Sequence, residues 1–451
     1  MMMNSSAKYP PVASRYKSLI NAGKFIKNPF TILDQALSKL GTTYAFYMGG
    51  VQKAVLTIDP KVARYVLQKH HRAYEKSEIV TKILAKYLGK GLLTNTGDDW
   101  LRQRRLIQPG FHRKRIESLQ TLMRTEVEAG MMSWTIKSSG RMMIDAYREM
   151  NLLTFRIIAR ALFSDSIEES GLTQLSELIS TIQAYIIREV RQPHKRWWFK
   201  LSGITDRHIN LAKGTNEMIR DIIKKRKVAG VFPDDLLTML MEAKYEDTGQ
   251  GMSEDQLIDE CLILFVAGHE TSANALSWMI YLLGKHPEQY TRLQNAAGET
   301  QSSLIRNVIE ETMRLYPPAW VVDRVSLEED DVLDFHLPKD TLWVIYIRGM
   351  HRNPEYWEKP DQFIPDRWSD PNLNKEAYMA FGAGPRLCIG EHFAMMEMQL
   401  ILTTIVNTFN FNLISKDVAE KPLVTLRPGS EIYITISPKE VGDFIHAQPN
   451  E

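Results

Sequence analysis

The chain has 451 residues, of which 44% are hydrophobic and 24% are charged, so it can bury a large core and a cofactor. Its formal net charge of +2 provides no global excess that would indicate nucleic acid or another highly charged partner. Its two cysteines are too few for a disulfide framework and favour a reducing compartment.

The N-terminal residues 1–16 contain no apolar stretch long enough for a signal peptide or a membrane anchor. The longest apolar run, residues 261–268, is also too short to span a bilayer. We therefore expect a soluble, cytoplasmic protein with no membrane anchor.

A β-hairpin and then a helix are predicted next. Residues 44–48 and 51–58 flank Gly49-Gly50, which is the pattern of two strands joined by a tight turn. Asp59-Pro60 predicts a helix start, because aspartate is a good N-cap and proline suits the first helical turn.

A basic segment follows the hairpin region. Trp100 and Arg104 are one helical turn apart and therefore share a helix face. The cations around and after them form a cluster, consisting of Arg102, Arg105, Arg113, Lys114 and Arg115. This cluster is either a solvated face or a docking surface for an acidic protein, because such charge steers association.

The middle of the chain predicts successive helices with short breaks at Ser139-Gly140, Gly171 and Gly203. Residues 188–200 are at once polar and aromatic, and Pro193 predicts that a helix ends there. The simplest interpretation of that stretch is an exposed loop.

One long helix is predicted in the second half of the chain. Ser253 and Gln256 form a capping-box start, and His286-Pro287 ends the helix roughly 50 Å further on. Glu270 and Thr271 interrupt its apolar sequence. A buried carboxylate is costly unless it has a role, and a buried threonine can simply bond back to a helix carbonyl.

Later segments add a small β portion and a paired helix motif. Glu311 and Arg314 are three residues apart, so their side chains face together. Residues 340–347 and 431–436 predict strands. Between these strands a long irregular, proline-punctuated meander leads to a cysteine.

Residues 381–390, Phe-Gly-Ala-Gly-Pro-Arg-Leu-Cys-Ile-Gly, centre on Cys388. The glycines and the proline require a tight turn, and apolar periodicity predicts a helix from Glu391 to about Phe409. The free N–H groups at a helix start stabilise a thiolate. A thiolate on a glycine-rich loop needs a cation or a metal as partner, and haem is the natural candidate.

The spacing Phe381-x-x-Gly384-x-Arg386-x-Cys388-x-Gly390 resembles the haem-ligand signature of the cytochrome P-450 superfamily at every specified position. Three further motifs resemble those of the family in the same order, namely Trp100-x-x-x-Arg104, Ala267-Gly268-His269-Glu270-Thr271 and Glu311-x-x-Arg314. The resemblance implies one domain over residues 1–451, mainly α with a small β portion at about 40–60, 320–350 and 415–440. It also implies haem b between the long central helix and the helix of the cysteine loop, and it is closest to the soluble bacterial type.

The resemblance also assigns roles around the haem. Cys388 would ligate the iron, and Glu270 and Thr271 would deliver protons for oxygen activation. The expected haem contacts are Trp100, Arg104, Arg324 and Arg386, which would bind propionates, together with Ala267, Phe381, Gly382 and Gly390.

Other roles lie further from the haem. Glu311, Arg314 and Arg367 would brace the cysteine loop, although Trp368 stands where the family usually has phenylalanine. Residues 188–200 would form an access lid. The residues expected to line the substrate pocket are Leu84, Leu88, Leu93, Val266, Ala319, Trp320, Val321 and Val424.

The implied activity is that of a haem-thiolate monooxygenase, which inserts one oxygen atom from O2 into an organic substrate. The mostly apolar pocket favours hydroxylation of a hydrophobic or fatty substrate, while Trp320 and the aromatic lid leave open O-demethylation of a small polar compound such as a methylated sugar. A haem-thiolate isomerase or sensor would share the cysteine loop, but the Glu270-Thr271 pair argues against both. A separate ferredoxin or flavodoxin with its reductase would supply electrons to a monomer, because no flavin or iron–sulfur segment follows the cysteine helix.

Overall fold

The computed structural model describes residues 8–48, 52–136 and 142–439. Its helices are α1 (Arg15–Ile20), α2 (Ala22–Lys27), α3 (Phe30–Leu40), α4 (Pro60–Arg64), α5 (Ala85–Leu88), α6 (Gly97–Ile107), α7 (Arg113–Ser118), α8 (Gln120–Ile136), α9 (Ala146–Phe163), α10 (Glu169–Arg191), α11 (Arg196–Leu201), α12 (Ile204–Ala229), α13 (Leu236–Glu242), α14 (Glu254–Lys285), α15 (Pro287–Asn295), α16 (Gly298–Leu315), α17 (Ile347–Met350) and α18 (Glu391–Thr408). Its strands are β1 (Thr43–Met48), β2 (Gln52–Thr57), β3 (Tyr74–Glu75), β4 (Met142–Asp145), β5 (Val322–Ser326), β6 (Asp330–Val332), β7 (Phe335–Leu337), β8 (Leu342–Ile345), β9 (Phe409–Leu413), β10 (Glu420–Pro422), β11 (Leu426–Pro428) and β12 (Tyr433–Pro438). The fold is therefore mainly α with a small β portion, as predicted.

Helix α14 is the central helix that the sequence predicts. The hydroxyl of Ser253 accepts a hydrogen bond from the amide of Gln256 at 3.2 Å. Two acidic residues in the first turn interact favourably with the positive N-terminal end of the helix dipole. Most of its side chains are buried, and it packs against α9, α12, α16 and α18. The long helix is therefore held on several sides by other helices.

The largest sheet lies in a second core, beside the helical one. Its strand order is β1-β2-β8-β5-β3, and β2 and β8 are parallel. The predicted hairpin is confirmed by the antiparallel register of β1 and β2, while its turn at Gly49-Gly50 lies outside the described residues. The remaining strands form a β4-β12-β9 sheet and the pairs β6–β7 and β10–β11.

The predicted helix boundaries are correct in most places. Asp59 caps α4 by accepting a hydrogen bond from the amide of Lys61 at 2.7 Å, and Gly203 is the N-cap of α12. The break predicted at Gly171 is wrong, because this glycine lies inside α10. One glycine costs a helix only about 1 kcal/mol, which the buried apolar face of α10 outweighs. The break predicted at Ser139-Gly140 lies outside the described residues.

The region predicted as a loop or lid is largely helical. Helix α10 ends at Arg191, just before Pro193, and the short helix α11 follows it. Trp197 and Trp198 on α11 are exposed. Within the described ranges, no helix combines the length and the apolar sequence that crossing a membrane requires.

Candidate active site

The cysteine loop depends on backbone conformations that glycine adopts readily. Gly382 and Gly384 have φ values of +81° and +72°, in the left-handed region. A Cβ on Gly384 would collide with the carbonyl oxygen of Leu67. The amide of Cys388 donates a hydrogen bond to the carbonyl of Phe381 at 3.0 Å. These contacts close the tight turn that the sequence predicts.

The thiol of Cys388 lies at the start of α18, whose N-cap is Gly390. Burial raises the pKa of this thiol, whereas the amide of Gly390 and the guanidinium of Arg104 lower it. Cys388 nevertheless has solvent-accessible area. Arg104 Nη1 donates to the carbonyl of Leu387 at 3.0 Å, which joins α6 to the loop beside the sulfur.

Three cations lie close together beside the loop, and we call them the cation cluster: Lys76, Arg324 and Arg386. Burial lowers the pKa of all three, and Arg324 further lowers the pKa of the other two by repulsion, to about 9 for Arg386. Within the described residues, they donate hydrogen bonds to neutral backbone carbonyls: Lys76 to Leu93 at 2.5 Å, Arg324 to Asp323 at 2.6 Å and Arg386 to Asn95 at 2.9 Å. The guanidinium of Arg386 also lies 4.0 Å from the ring centroid of Trp100. The carboxylates of Asp323 and Glu75 offset part of this effect on the pKa values, and a further anion between the three cations would offset more of it.

The surroundings of Cys388 fit a flat, anionic cofactor. The cation cluster would neutralise two carboxylates, and Arg104 adds a further positive charge near the thiol. A Cβ on Gly382 or Gly390 would meet no neighbouring group within 4 Å, so bare backbone is presented next to the sulfur. Haem has two propionates, a flat ring and an iron that binds thiolate, so the residues present fit it.

Helix α14 has an accessible face within an otherwise buried stretch. Ala267 is exposed, and Val266 and Thr271 are partly exposed, whereas most of the helix around them is buried. Thr271 Oγ1 donates to the carbonyl of Ala267 at 2.8 Å, one of the two possibilities that the sequence left open. This face of α14 carries three of the residues predicted to contact haem, substrate or oxygen.

Glu270 lies next to Thr271 in the chain but has different surroundings. Its carboxylate accepts a hydrogen bond from Gln183 at 2.9 Å, forms an ion pair with Arg427 at 2.8 Å, and accepts a short hydrogen bond from Thr425. Only 7% of Glu270 is exposed. The two members of the predicted acid–alcohol pair thus have different partners. Thr271 bonds within α14, whereas Glu270 is held by α10 and the β10–β11 hairpin.

The comparison with known families decides the identity of this arrangement. A family model described as Cytochrome P450 matches residues 10–436. The chain belongs to the cytochrome P450 family. Among its relatives, cyclooctatin synthase of Streptomyces melanosporofaciens is 31% identical over 86% of this chain and 86% of its own. Cyclooctat-9-en-7-ol 5-monooxygenase of the same organism is 30% identical over 79% and 80%, and pentalenene oxygenase of Streptomyces avermitilis is 29% identical over 79% and 82%. The protein is a P450 monooxygenase, an oxidoreductase that uses haem, O2, a redox partner and a small-molecule substrate.

Glu311, Arg314 and Arg367, which were predicted to brace the cysteine loop, contact one another. Two further donors join them, namely the indole of Trp368 and the amide of Ile364, which donates to Glu311 at 2.9 Å. Glu311 accepts two hydrogen bonds from Arg314, both at 2.9 Å, and one from Arg367 at 3.1 Å. Trp368 Nε1 donates to the same carboxylate at 2.9 Å. The residue that departs from the usual family pattern thus contributes an N–H that phenylalanine could not supply.

His351 connects this brace to the cysteine loop. Arg314 Nη1 donates to the carbonyl of His351 at 2.8 Å. Burial lowers the pKa of His351 to about 3, so its ring is neutral and can accept a hydrogen bond. Its Nε2 accepts one from the amide of Met379 at 2.9 Å, two residues before Phe381.

The residues predicted to line the substrate pocket lie in different surroundings. Leu84 and Leu88 are 7% and 4% exposed, and Leu93 and Val266 pack against the same helical core. Trp320 packs its ring edge-on against Phe30 in the sheet core, at 5.3 Å between centroids. Ala319 and Val321 are partly exposed, and Val424 is exposed.

The basic cluster near α6 is partly neutralised. Arg102 pairs with Asp247 at 3.1 Å, Arg113 pairs with Glu117 at 2.8 Å, and Arg115 pairs with Asp234. Arg105 and Lys114 are exposed and have no ion pair with any described residue. Any docking role of this surface therefore depends mainly on those two cations.

Four residues with clear functional contacts were not identified from the sequence: Lys76, His351, Thr425 and Arg427. Each contacts its partner across 17 to 157 positions of the chain. No local motif marks them. The one indication of further cations was the predicted propionate contacts of Arg104, Arg324 and Arg386, beside which Lys76 lies.

Proposed function

We propose that this P450 monooxygenase hydroxylates an apolar, terpene-like compound, and that Cys388 would hold haem b as its thiolate ligand. The observation that carries the proposal is the accessible thiol of Cys388 together with the accessible, mostly apolar face of α14 at Val266, Ala267 and Thr271. The relatives named for pentalenene and cyclooctat-9-en-7-ol support a cyclic, mostly hydrocarbon substrate over a methylated sugar. Their names as oxygenases also support oxygen insertion over isomerisation or sensing.

The proposed reaction takes one oxygen atom of O2 into a C–H bond of the substrate and releases the other as water. Two electrons and two protons balance it. Haem, when bound, would supply the redox chemistry that activates O2, and Cys388 would supply the thiolate ligand that favours cleavage of the O–O bond. The rest is the task of this chain's own residues, which must hold the cofactor, supply protons and exclude water.

The residues proposed to hold the haem are Cys388, the cation cluster, Trp100 and Arg104. Lys76, Arg324 and Arg386 would form charge-assisted hydrogen bonds with the propionates, which would relieve their mutual repulsion. Gly382 and Gly390 would let the backbone approach the ring. On the other side, Ala267 would leave room above it.

Thr271 and Glu270 are proposed to deliver protons. Thr271 Oγ1 would hold a water or a proton at the accessible face of α14, and Glu270 would replenish it from the protein side. The electrons would come from a ferredoxin or a flavodoxin with its reductase. Arg105 and Lys114 would attract its acidic surface.

The test begins with the spectrum of the reduced enzyme under carbon monoxide. Wild type is expected to give the band of a thiolate-ligated haem, and Cys388→Ser is expected to lose it. A screen of cyclic terpenes and of methylated sugars by haem spin-state shift would then assign the substrate class. Absence of the thiolate-type band in wild type would overturn the proposal, and shifts caused by sugars alone would overturn its substrate class.

A further inference from the structure

Both oxygens of the Glu270 carboxylate are occupied by donors from two other elements. Oε1 accepts from Arg427 Nε at 2.9 Å and from the hydroxyl of Thr425. Oε2 accepts from Gln183 Nε2 at 2.9 Å. A carboxylate bonded in this way is stabilised in place and is poorly suited to pass protons. Glu270 must be released before it can serve Thr271.

The two elements that hold Glu270 also contact each other. Gln183 belongs to α10, and Thr425 and Arg427 belong to the β10–β11 hairpin. Arg191 at the end of α10 donates to the carbonyl of Pro422 in the hairpin at 2.5 Å. Helix α10, the hairpin and Glu270 thus form a closed set of contacts, so movement of either element affects both.

The hairpin also reaches predicted pocket residues. Its tip carries Val424, which is 46% exposed, directly before Thr425. The carbonyl of Leu423 accepts from Trp320 Nε1 at 3.0 Å. A substrate that pushes on Val424 or Trp320 would therefore displace the hydroxyl that bonds Glu270.

Helix α10 is linked to the opposite group of predicted pocket residues. Glu189, near its end, is 4% exposed and accepts hydrogen bonds from Lys86 and Tyr87, each at 2.6 Å. Lys86 and Tyr87 lie on α5, next to Leu84 and Leu88. The helix that supplies Gln183 is therefore fastened to the segment bearing these two leucines.

We propose that α10 and the β10–β11 hairpin together form a substrate-responsive hold on Glu270, with Gln183, Thr425 and Arg427 as positioning residues. Without substrate, the hold keeps the carboxylate away from Thr271. Substrate against the hairpin tip and α5 loosens the hydrogen bonds of Gln183 and Thr425, while Arg427 retains the charge balance. The released carboxylate then supplies protons only when a substrate is present. The inference rests on the proposed role of Glu270 and Thr271 in proton delivery.

The test uses the double variant Gln183→Leu/Thr425→Val, which removes two neutral donors and keeps the ion pair with Arg427. The reductase-supported holoenzyme is assayed for O2 consumption without substrate. Removal of each hydrogen bond is expected to raise the rate by about fivefold, so the double variant should consume O2 about 25-fold faster than wild type. Thr425→Ser, which keeps the hydroxyl, should behave like wild type. The control variants Lys421→Gln and Thr181→Val change exposed positions of the same two elements. They should consume O2 at the wild-type rate.

A second comparison shows whether the effect passes through Glu270. In a Glu270→Gln background the double substitution is expected to leave substrate-free O2 consumption unchanged. Amide hydrogen exchange should also be faster in Glu270→Gln than in wild type, both in residues 420–428 and in the second half of α10, because both elements lose a shared anchor.

Three results would overturn the inference. The first is an unchanged O2 consumption rate in a folded double variant, and the second is an increase that persists in the Glu270→Gln background. The third is amide hydrogen exchange in Glu270→Gln that is no faster than in wild type, both in residues 420–428 and in α10. A wild-type enzyme that lacks the thiolate-type band, or that consumes no O2 with reductase, would instead overturn the proposed function and this inference with it.

Discussion

Replacing Glu397 by glutamine is expected to stabilise the protein increasingly as the pH rises. Glu397 lies on α18 and is 0% exposed, and neither of its carboxylate oxygens has a hydrogen-bond partner among the described residues. Burial raises its pKa from 4.5 to about 8, and the nearby hydroxyl of Ser272 offsets only part of this. The folded protein therefore keeps this carboxyl protonated at neutral pH, whereas the unfolded chain releases the proton.

The sign and the size of the effect follow from this difference in pKa. Below pH 4.5 the carboxyl is protonated in both the folded and the unfolded protein, so its burial carries no ionisation cost. As the pH rises from 4.5 towards 8, the unfolded chain is increasingly favoured and the stability of the wild-type protein falls. Glutamine has the same shape and does not titrate. Between pH 5.5 and pH 8 the variant should therefore gain ~3 kcal/mol relative to wild type, at 1.36 kcal/mol per pH unit.

The assay is urea unfolding of the holoenzyme at both pH values, followed by far-UV circular dichroism. Glu128→Gln, on the exposed face of α8, is the matched control and should show no growing difference from wild type. The reasoning would be refuted if the Glu397→Gln difference were the same at both pH values. It would equally be refuted if the control changed as much as the variant.

The remaining predictions concern the catalytic cycle and the loop. Thr271→Ala should raise the peroxide released per electron pair by about tenfold, because one proton-transfer group typically contributes at least that much; normal coupling in this variant would remove Thr271 from proton delivery. Arg105→Glu/Lys114→Glu should slow haem reduction at low salt but not at high salt, whereas the control Lys225→Glu on α12 should reduce at the wild-type rate. If stopped flow gave the double variant the wild-type rate at low salt, the docking surface would be excluded. Glu311→Gln should destabilise the protein by about 3 kcal/mol or more, because it leaves buried guanidinium groups without their counter-charge; thermal unfolding that matches wild type would contradict this.

The sequence was sufficient for features that a short stretch of chain determines. The cysteine turn needs its own glycines, and α14 needs its own cap and its own apolar residues, so both could be located in advance. Gly171 misled the prediction because tertiary packing outweighs one poor helix former. Lys76 and Arg427 could not be found, because their roles arise only when segments distant in the chain fold together.

Trp368 shows the limit of a family pattern as well as its use. The pattern expected an aromatic ring, and a ring is present, but its indole N–H donates to Glu311. The contact between Arg314 and Glu311 could be predicted in full, because their spacing within one helix brings the two side chains together. A side-chain contact can therefore be predicted where both partners lie on one helix. It is predicted less completely where the second partner lies on the meander, far away in the chain.

The two faces of the site differ in how firmly they are held. On the cysteine side, Glu311 accepts five hydrogen bonds, from Arg314, Ile364, Arg367 and Trp368. His351 connects this group to Met379. On the other side, the acid is held by α10 and a short hairpin, whose tip at Val424 is exposed. A ligand to a metal must keep its position throughout a cycle, whereas a proton donor must change its partners. The different supports of Cys388 and Glu270 match the roles proposed for them, and for that reason we expect substrate to affect proton delivery before it affects the thiolate.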